Sequence, residues 1–225
     1  MTHHGIVEHF SVQEELFPQY VVDNWEQVSA TLADAGMHIA FTGHFHSQDA
    51  AKTTTDEGNT IYDIETGSLV TYPSPYREVE LTEDEMNVST EYVTDIDYDT
   101  DGQRFQEYSR EYLANGMQEL IPNVLTTMAA DKTGVPESLL QPQVEELVNI
   151  EVAEDFTLLD LATDAIMQHY AGDEQAGEKQ QEGIQTLLDF DNELLQMFGA
   201  ALQELYNDPT PDNNFSIDLN TLSNE

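Results

Sequence analysis

A change of hydrophobic period near Gly102 constrains this chain more than any other feature of its sequence. Before it, apolar residues come in short, partly alternating runs cut by Gly, Pro and Asn; after it they recur every three or four positions as far as Leu205. A period of two suits a half-buried strand and a period of 3.6 suits a helix packed on one side, so the chain reads as α+β, with strands before helices. Strands are predicted over 37–42, 61–64, 68–72, 76–81 and 87–96, most economically as an antiparallel meander. A helix of about four turns precedes them, from Pro18 to a C-cap at Gly36. Four helical stripes follow, led by Phe105, Leu139, Leu158 and Ile184. The aromatic stripe Phe105, Tyr108 and Tyr112 is expected in the core. The resulting division is 1–102, 103–206 and a loose acidic tail over 207–225.

Charge narrows the function. Asp and Glu number 45 against 6 Lys and Arg, a formal net charge of −39. Phosphate backbones need clustered cations, so duplex and single-stranded nucleic acids are excluded as partners, and an anionic membrane surface with them. The acids are spread along the chain rather than blocked at one end, which reads as the coat of a folded protein suited to salty surroundings. No apolar run approaches the ~20 residues of a membrane span. The first residues carry neither a basic stretch nor an apolar segment of signal-peptide type, and localisation stays open. With no cysteine, thiolate chemistry and Cys-ligated metals are ruled out.

Six of the seven histidines fall within the first 46 residues: His3, His4, His9, His38, His44 and His46. Neutral imidazole is the commonest nitrogen ligand of transition metals. In Gly43-His44-Phe45-His46 a Gly turn followed by extended backbone sends two alternate side chains to one side, a geometry that suits a shared ion. A solvated polar loop is the plain alternative for such a short motif.

The ordered set Met1-Thr2-His3-His4-Gly5-Ile6, Phe41-Thr42-Gly43-His44-Phe45-His46-Ser47-Gln48-Asp49 and Glu65-Thr66-Gly67-Ser68-Leu69 resembles the carboxyl-terminal half of calcineurin-like metallophosphoesterases. The resemblance spans roughly residues 1 to 82. It implies a partial αββα β-sandwich followed by an all-α unit, and a centre of two divalent transition metal ions (Mn, Fe, Zn or Ni) acting on a small phosphoester substrate. Carried over by position, His3 resembles a ligand of the second metal with His4 as the alternate. His44 would share that metal, and His46 would bind the first. The family's earlier motifs, Asp-x-His, Gly-Asp-x-x-Asp and Gly-Asn-His, have no counterpart here, so the bridging carboxylate and the general acid are missing. The expectation is a fragment, with Met1 an internal residue of a longer parent, inactive by itself. The alternative is a non-catalytic protein, either a decayed phosphoesterase remnant or an acidic helical interaction module.

Other residues carry smaller expectations. Gln48 and Asp49 would orient metal-bound imidazoles or simply bond within their loop. Arg77 would reach a substrate phosphate or form a surface ion pair. His9 reads as a surface-loop residue or one facing substrate, and His38 and His169 as packing or surface residues. Asp97 to Gly102 begins like a calcium loop, but Tyr108 stands where the bidentate Glu belongs, so a polar turn is the better reading. The helical unit reads as a cap over the catalytic core or as a docking surface.

Overall fold

In a computed structural model the chain is a mixed α+β protein, described over residues 2–223. The expectations placed on Met1, Asn224 and Glu225 lie outside the described residues. Two short helices open the chain, α1 (Gln13–Leu16) and α2 (Trp25–Asp34). The second is shorter than the four turns expected, and Gly36 follows it at φ 89°. Strands β1 (Ile39–Thr42), β2 (Asp49–Thr54) and β3 (Thr60–Glu65) form one sheet in the order β1-β3-β2. Strands β4 (Pro75–Leu81) and β5 (Glu85–Tyr92) form a second sheet with β8 (Phe215–Asp218) in the order β4-β5-β8.

Strand alternation builds the layers. In β1 and β3, Ala40 and Ile61 point toward α2 and meet Ile6, Val7 and Ala33. Their neighbours Ile39, Phe41, Tyr62 and Ile64 point the other way and meet Met86 and Val88 of β5 and Phe215 and Ile217 of β8. The result is helix, sheet, sheet, joined by two apolar layers.

Three strand expectations need correction. The sheet is no antiparallel meander, because β1 and β3 run parallel, Ile39 beside Tyr62, and β2 returns antiparallel to β3. Residues 68–72 form successive turns, the Thr71 N–H donating to the Ser68 carbonyl and the Ser74 N–H to that of Thr71, with Val70 92% exposed. Here backbone turns outweigh the β-propensity of Leu-Val-Thr-Tyr. The tail expected to be loose from Asn207 carries β8, which pairs with β5 from Glu85–Asp218 to Val88–Phe215.

The helical stretch comprises α3 (Phe105–Thr133), α4 (Glu137–Val148), α5 (Leu158–Ala171), α6 (Glu178–Asp189) and α7 (Glu193–Leu205), with a small hairpin, β6 (Glu151–Ala153) and β7 (Phe156–Thr157), before α5. A capping box at Thr157 and Asp160 starts α5. This helix is apolar on two faces. Leu158, Leu161 and Ala165 pack with α6 and α7, while Leu159 and Ala162 pack with α3 and α4. The stripe that begins at Ile184 is two helices, since Phe190 leaves helical geometry and Asn192 caps the N–H groups of Leu194 and Leu195. The aromatic stripe of α3 is not core: Tyr112 is 74% exposed and stacks on half-buried Tyr108 in solvent. Asp97 to Gly102 is irregular and ends in a turn, with Asp101 and Gly102 at positive φ. Among the described residues no helix is long and apolar enough to cross a membrane.

So uneven a charge balance leaves the acids mutually repelling, because 6 cations cannot neutralise 45 anions. The thermal midpoint is therefore expected to climb by several degrees as KCl is raised from dilute buffer to about 1 M, where the Debye length falls to roughly 3 Å. Circular dichroism melts across a KCl series check this, and a flat series would show that repulsion does not limit the fold.

Candidate functional site

Beyond the carboxyl end of β1 the chain turns at Gly43, and the residues that follow meet the first described residues of the chain. The Thr2 N–H donates to the Phe41 carbonyl (3.1 Å), and the Gly43 N–H reaches the His3 carbonyl (3.4 Å). These bonds bring three imidazoles together. Ring centroids lie 4.3 Å apart for His3 and His44, 4.5 Å for His4 and His44, and 5.4 Å for His3 and His4. Tyr20 lies over His44 at 4.9 Å, and Tyr170 of α5 approaches His46 at 6.4 Å.

The segment is not the extended one that the His-x-His spacing suggested. His46 adopts φ 71°, a left-handed conformation rare for a residue with a Cβ. Strain of this kind needs support from its surroundings. Phe45 supplies it, its ring packing on Phe10, Phe17, Tyr20 and His169 and its N–H donating to Glu65 Oε1 (2.6 Å). Burial and the neighbouring His3, His4 and His46 push His44 below its ordinary pKa; burial and His3 do the same to His46. Both shifts favour the neutral imidazole, the form that can bind a Lewis acid.

Divalent transition ions fit these imidazoles by donor chemistry, yet the ring nitrogens do not converge. Among the described residues no three His, Asp or Glu side chains are disposed to hold one ion, and no carboxylate pairs with these four rings. The imidazoles would have to turn to share an ion.

The carboxylates nearest in sequence are engaged elsewhere. Asp49 accepts from His9 Nδ1 at 2.9 Å, and His9 Nε2 lies 3.5 Å from Asp63 Oδ2 and 3.8 Å from Glu65 Oε2. His9 is not the surface-loop residue expected, being 6% exposed. Burial alone would depress it, but the charges of Asp49 and Asp63 and its bonds to them prevail and hold it well above its ordinary pKa. Asp63 accepts from the N–H groups of Ile6 (2.5 Å) and Val7 (3.2 Å) and from the Thr42 hydroxyl. His9 and these donors overcome its burial and keep its pKa low, whereas burial raises that of Glu65.

Gln48, too, serves the framework, its amide bridging Thr90 Oγ1 (2.6 Å) and the Gly67 N–H (3.0 Å). Neither Gln48 nor Asp49 hydrogen-bonds His44 or His46 among the described residues. Arg77 is no surface ion pair. Its guanidinium donates to the carbonyls of Asp212 (2.6 Å), Glu65 (2.8 Å) and Asp49 (3.4 Å), and burial lowers its pKa to about 10. With a further bond from Nη1 to Thr90 Oγ1 (3.4 Å), the guanidinium ties β2, β3, β5 and the returning tail together. His38 Nδ1 lies 2.8 Å from the Thr60 carbonyl. His169 pairs with Glu174 at 2.7 Å, both buried, and its pKa is raised because that partner and Asp49 outweigh desolvation.

Asp63, Glu65, Glu174, Asp212, Tyr20 and Tyr170 were not legible as members of this region. A faint signal existed in β3, where acids at Asp63 and Glu65 interrupt an otherwise apolar buried strand. Compared with known proteins, the chain matches no family model, and no curated protein matches it.

Proposed function

We propose that this chain supplies the histidine side of a divalent transition-metal centre that hydrolyses phosphoric mono- or diesters. The observation that carries the reading is the meeting of His3, His4 and His44 beyond the carboxyl end of β1, with strained His46 beside them. Helix, sheet and sheet layering agrees with part of an αββα sandwich, and the carboxyl end of a parallel strand is where open sheets place ligands. His3 and His44 would hold one ion and His46 a second, with His4 as the alternate to His3. Tyr20 and Phe45 keep the His44 loop in place, and the backbone bonds of Thr2 and Gly43 keep the two ligand segments together. Bound there, divalent cations acidify a water and neutralise charge on the phosphoryl group. Because Asp49, Asp63 and Glu65 are engaged with His9 and with backbone N–H groups, the carboxylate ligands of a complete two-metal centre have to come from a further polypeptide segment. The chain by itself binds metal weakly and does not turn over substrate.

Equilibrium dialysis against Co(II) tests this. About one ion per chain is expected, and His44→Ala should weaken it by at least the roughly 10- to 100-fold that loss of an outer-shell partner costs. His38→Ala should leave it unchanged. Absence of binding, or binding indifferent to His44, overturns the reading in favour of a non-catalytic interaction protein. One observation favours that second reading: Tyr98, Tyr108 and Tyr112 form a partly exposed aromatic row along the start of α3.

A further inference from the structure

The apolar cores of the molecule stop at the border between the sheets and the helices. The clusters around Ile61 and Ile64 lie in the sheets and α2, those around Leu161 and Met117 in the helical unit, and among the described residues no core cluster joins the two. The helical unit is an insertion between neighbouring strands, since the chain leaves the sheets after β5 and returns to them as β8. What joins the two bodies is largely polar. The Gln48 N–H donates to the His169 carbonyl (3.0 Å), the Asp173 N–H to Asp212 Oδ2 (2.6 Å), and the Asn213 amide to the Ala171 carbonyl (3.0 Å). In the same joint His9 pairs with Asp49 and His169 with Glu174, while Phe10 and Phe45 rest their rings on His169. His9 Nε2, His169 Nε2 and Asp212 Oδ1 are sealed from water without a hydrogen-bond partner among the described residues. Buried polar atoms are ordinarily paired, and a polar joint between two separate cores leaves the bodies free to move.

We propose that the helical unit is a hinged body latched to the sheets by the buried cluster of His9, Asp49, His169 and Asp212, and that alkaline solution opens the latch while the cores of both bodies stay folded. The charges around each latch group set the direction. His9 lies among Asp49 of β2 and Asp63 and Glu65 of β3; His169 faces Glu174, Asp49 and Glu65. Asp212 faces Asp49 and Glu174, and Arg77 of β4 faces Asp212, Asp49, Asp173 and the Tyr92 phenol. In the closed joint His9, His169 and Asp212 all have raised pKa values. Each therefore favours closure fully below its value in water, 6.5 for the histidines and 3.8 for Asp212, and loses that preference as pH climbs. Once the imidazoles are neutral, the carboxylates share Arg77 in a place water does not reach, and opening hydrates them. The irregular residues 93–104, and 207–211 between α7 and the latch, take up the swing. The latch needs no metal and no substrate.

The chain has no cysteine, so Asp56→Cys in the turn after β2 and Glu182→Cys on the exposed side of α6 place two spin labels and no others. Double electron–electron resonance on the full chain reads the distance between them at constant ionic strength, and circular dichroism reads the helices. A narrow distance distribution is expected at pH 6 and a broader, longer one at pH 9, with the dichroism unchanged. Asp212→Asn, which stands in for the protonated carboxyl, should stay narrow at pH 9. His169→Gln, which can bond Glu174 but takes up no proton, should already be broad at pH 6. One distribution at both pH values overturns the latch, as does broadening that comes only with loss of helical dichroism, the mark of unfolding rather than opening. Asp212→Asn opening as the wild type does, or His169→Gln closing as it does, removes the latch from this cluster.

Discussion

Asp63→Leu is expected to leave the amino-terminal sheets unfolded at room temperature. Asp63 is completely buried and accepts from the Ile6 and Val7 N–H groups and the Thr42 hydroxyl, while its charge faces His9. Leucine fills much the same space and accepts nothing, so three buried donors and part of a cation's compensation are orphaned together. Each unsatisfied buried group costs about 1–3 kcal/mol, against a total stability of roughly 5–15 kcal/mol for a domain. Asp63→Asn, which keeps one acceptor oxygen, should fall between the wild type and the leucine variant. Urea denaturation followed by circular dichroism ranks the three, and a leucine variant with the wild-type midpoint would remove Asp63 from the account of what holds residues 2–7 to β3.

A second expectation concerns pH. Stability should be greatest in mildly acidic solution and decline steadily toward pH 9. His9 and His169 have raised pKa values, so their contribution is complete below the ordinary histidine value of 6.5 and is lost as pH climbs through the folded values. Asp212 acts in the same sense. Its Oδ1 is buried without a hydrogen-bond partner among the described residues, and burial together with the charges of Asp49 and Glu174 raises its pKa well above the ordinary carboxylate range, so the fold favours its protonated form. An unfolded Asp212 surrenders that proton above 3.8, and the balance tips toward unfolding from there upward. Glu65, raised by burial, adds to the decline. Asp49 and Asp63 are lowered, so their contribution is present above 3.8 and disappears in stronger acid. Thermal melts at constant ionic strength from pH 4 to 9 should show the fall, and Asp212→Asn, which cannot ionise, should flatten it. A melting point that rises from pH 5 to 9 would falsify the protonation scheme for this network.

Legibility in the sequence tracked how local each determinant is. Helices α3, α4 and α5 announce themselves because a 3.6 period over three or more turns has no other use, and β1, β3 and β4 fall within a residue or two of the expected runs. β2 went unseen since Asp49-Ala50-Ala51-Lys52-Thr53-Thr54 has almost no apolar alternation; β3 recruits it by backbone pairing from Asp49–Glu65 to Thr54–Thr60. β8 hid for a related reason. Phe215-Ser216-Ile217-Asp218 is four residues in an acidic context, and only the open edge of β5 makes it a strand. His44 and His46 stood out as a motif, but nothing in the local sequence could reveal that His46 turns left-handed or that α5 ends beside it.

Residue order by itself determined the α+β class, the strongly negative charge of the chain, and the identity of the histidines that gather beyond β1. Those are properties of period, net charge and spacing, which need no knowledge of what lies across the core. Tertiary structure alone decided the allegiance of the buried charges. Asp49, read as orienting an imidazole or bonding within its loop, and Arg77, read as reaching a phosphate or forming a surface ion pair, are both turned inward because a carboxylate or guanidinium sealed from water must find hydrogen bonds with whatever the fold brings near: His9 for one, and the carbonyls of Asp212, Glu65 and Asp49 for the other. It likewise set Tyr170 against the His46 loop, a meeting across more than a hundred residues of chain that no local pattern encodes.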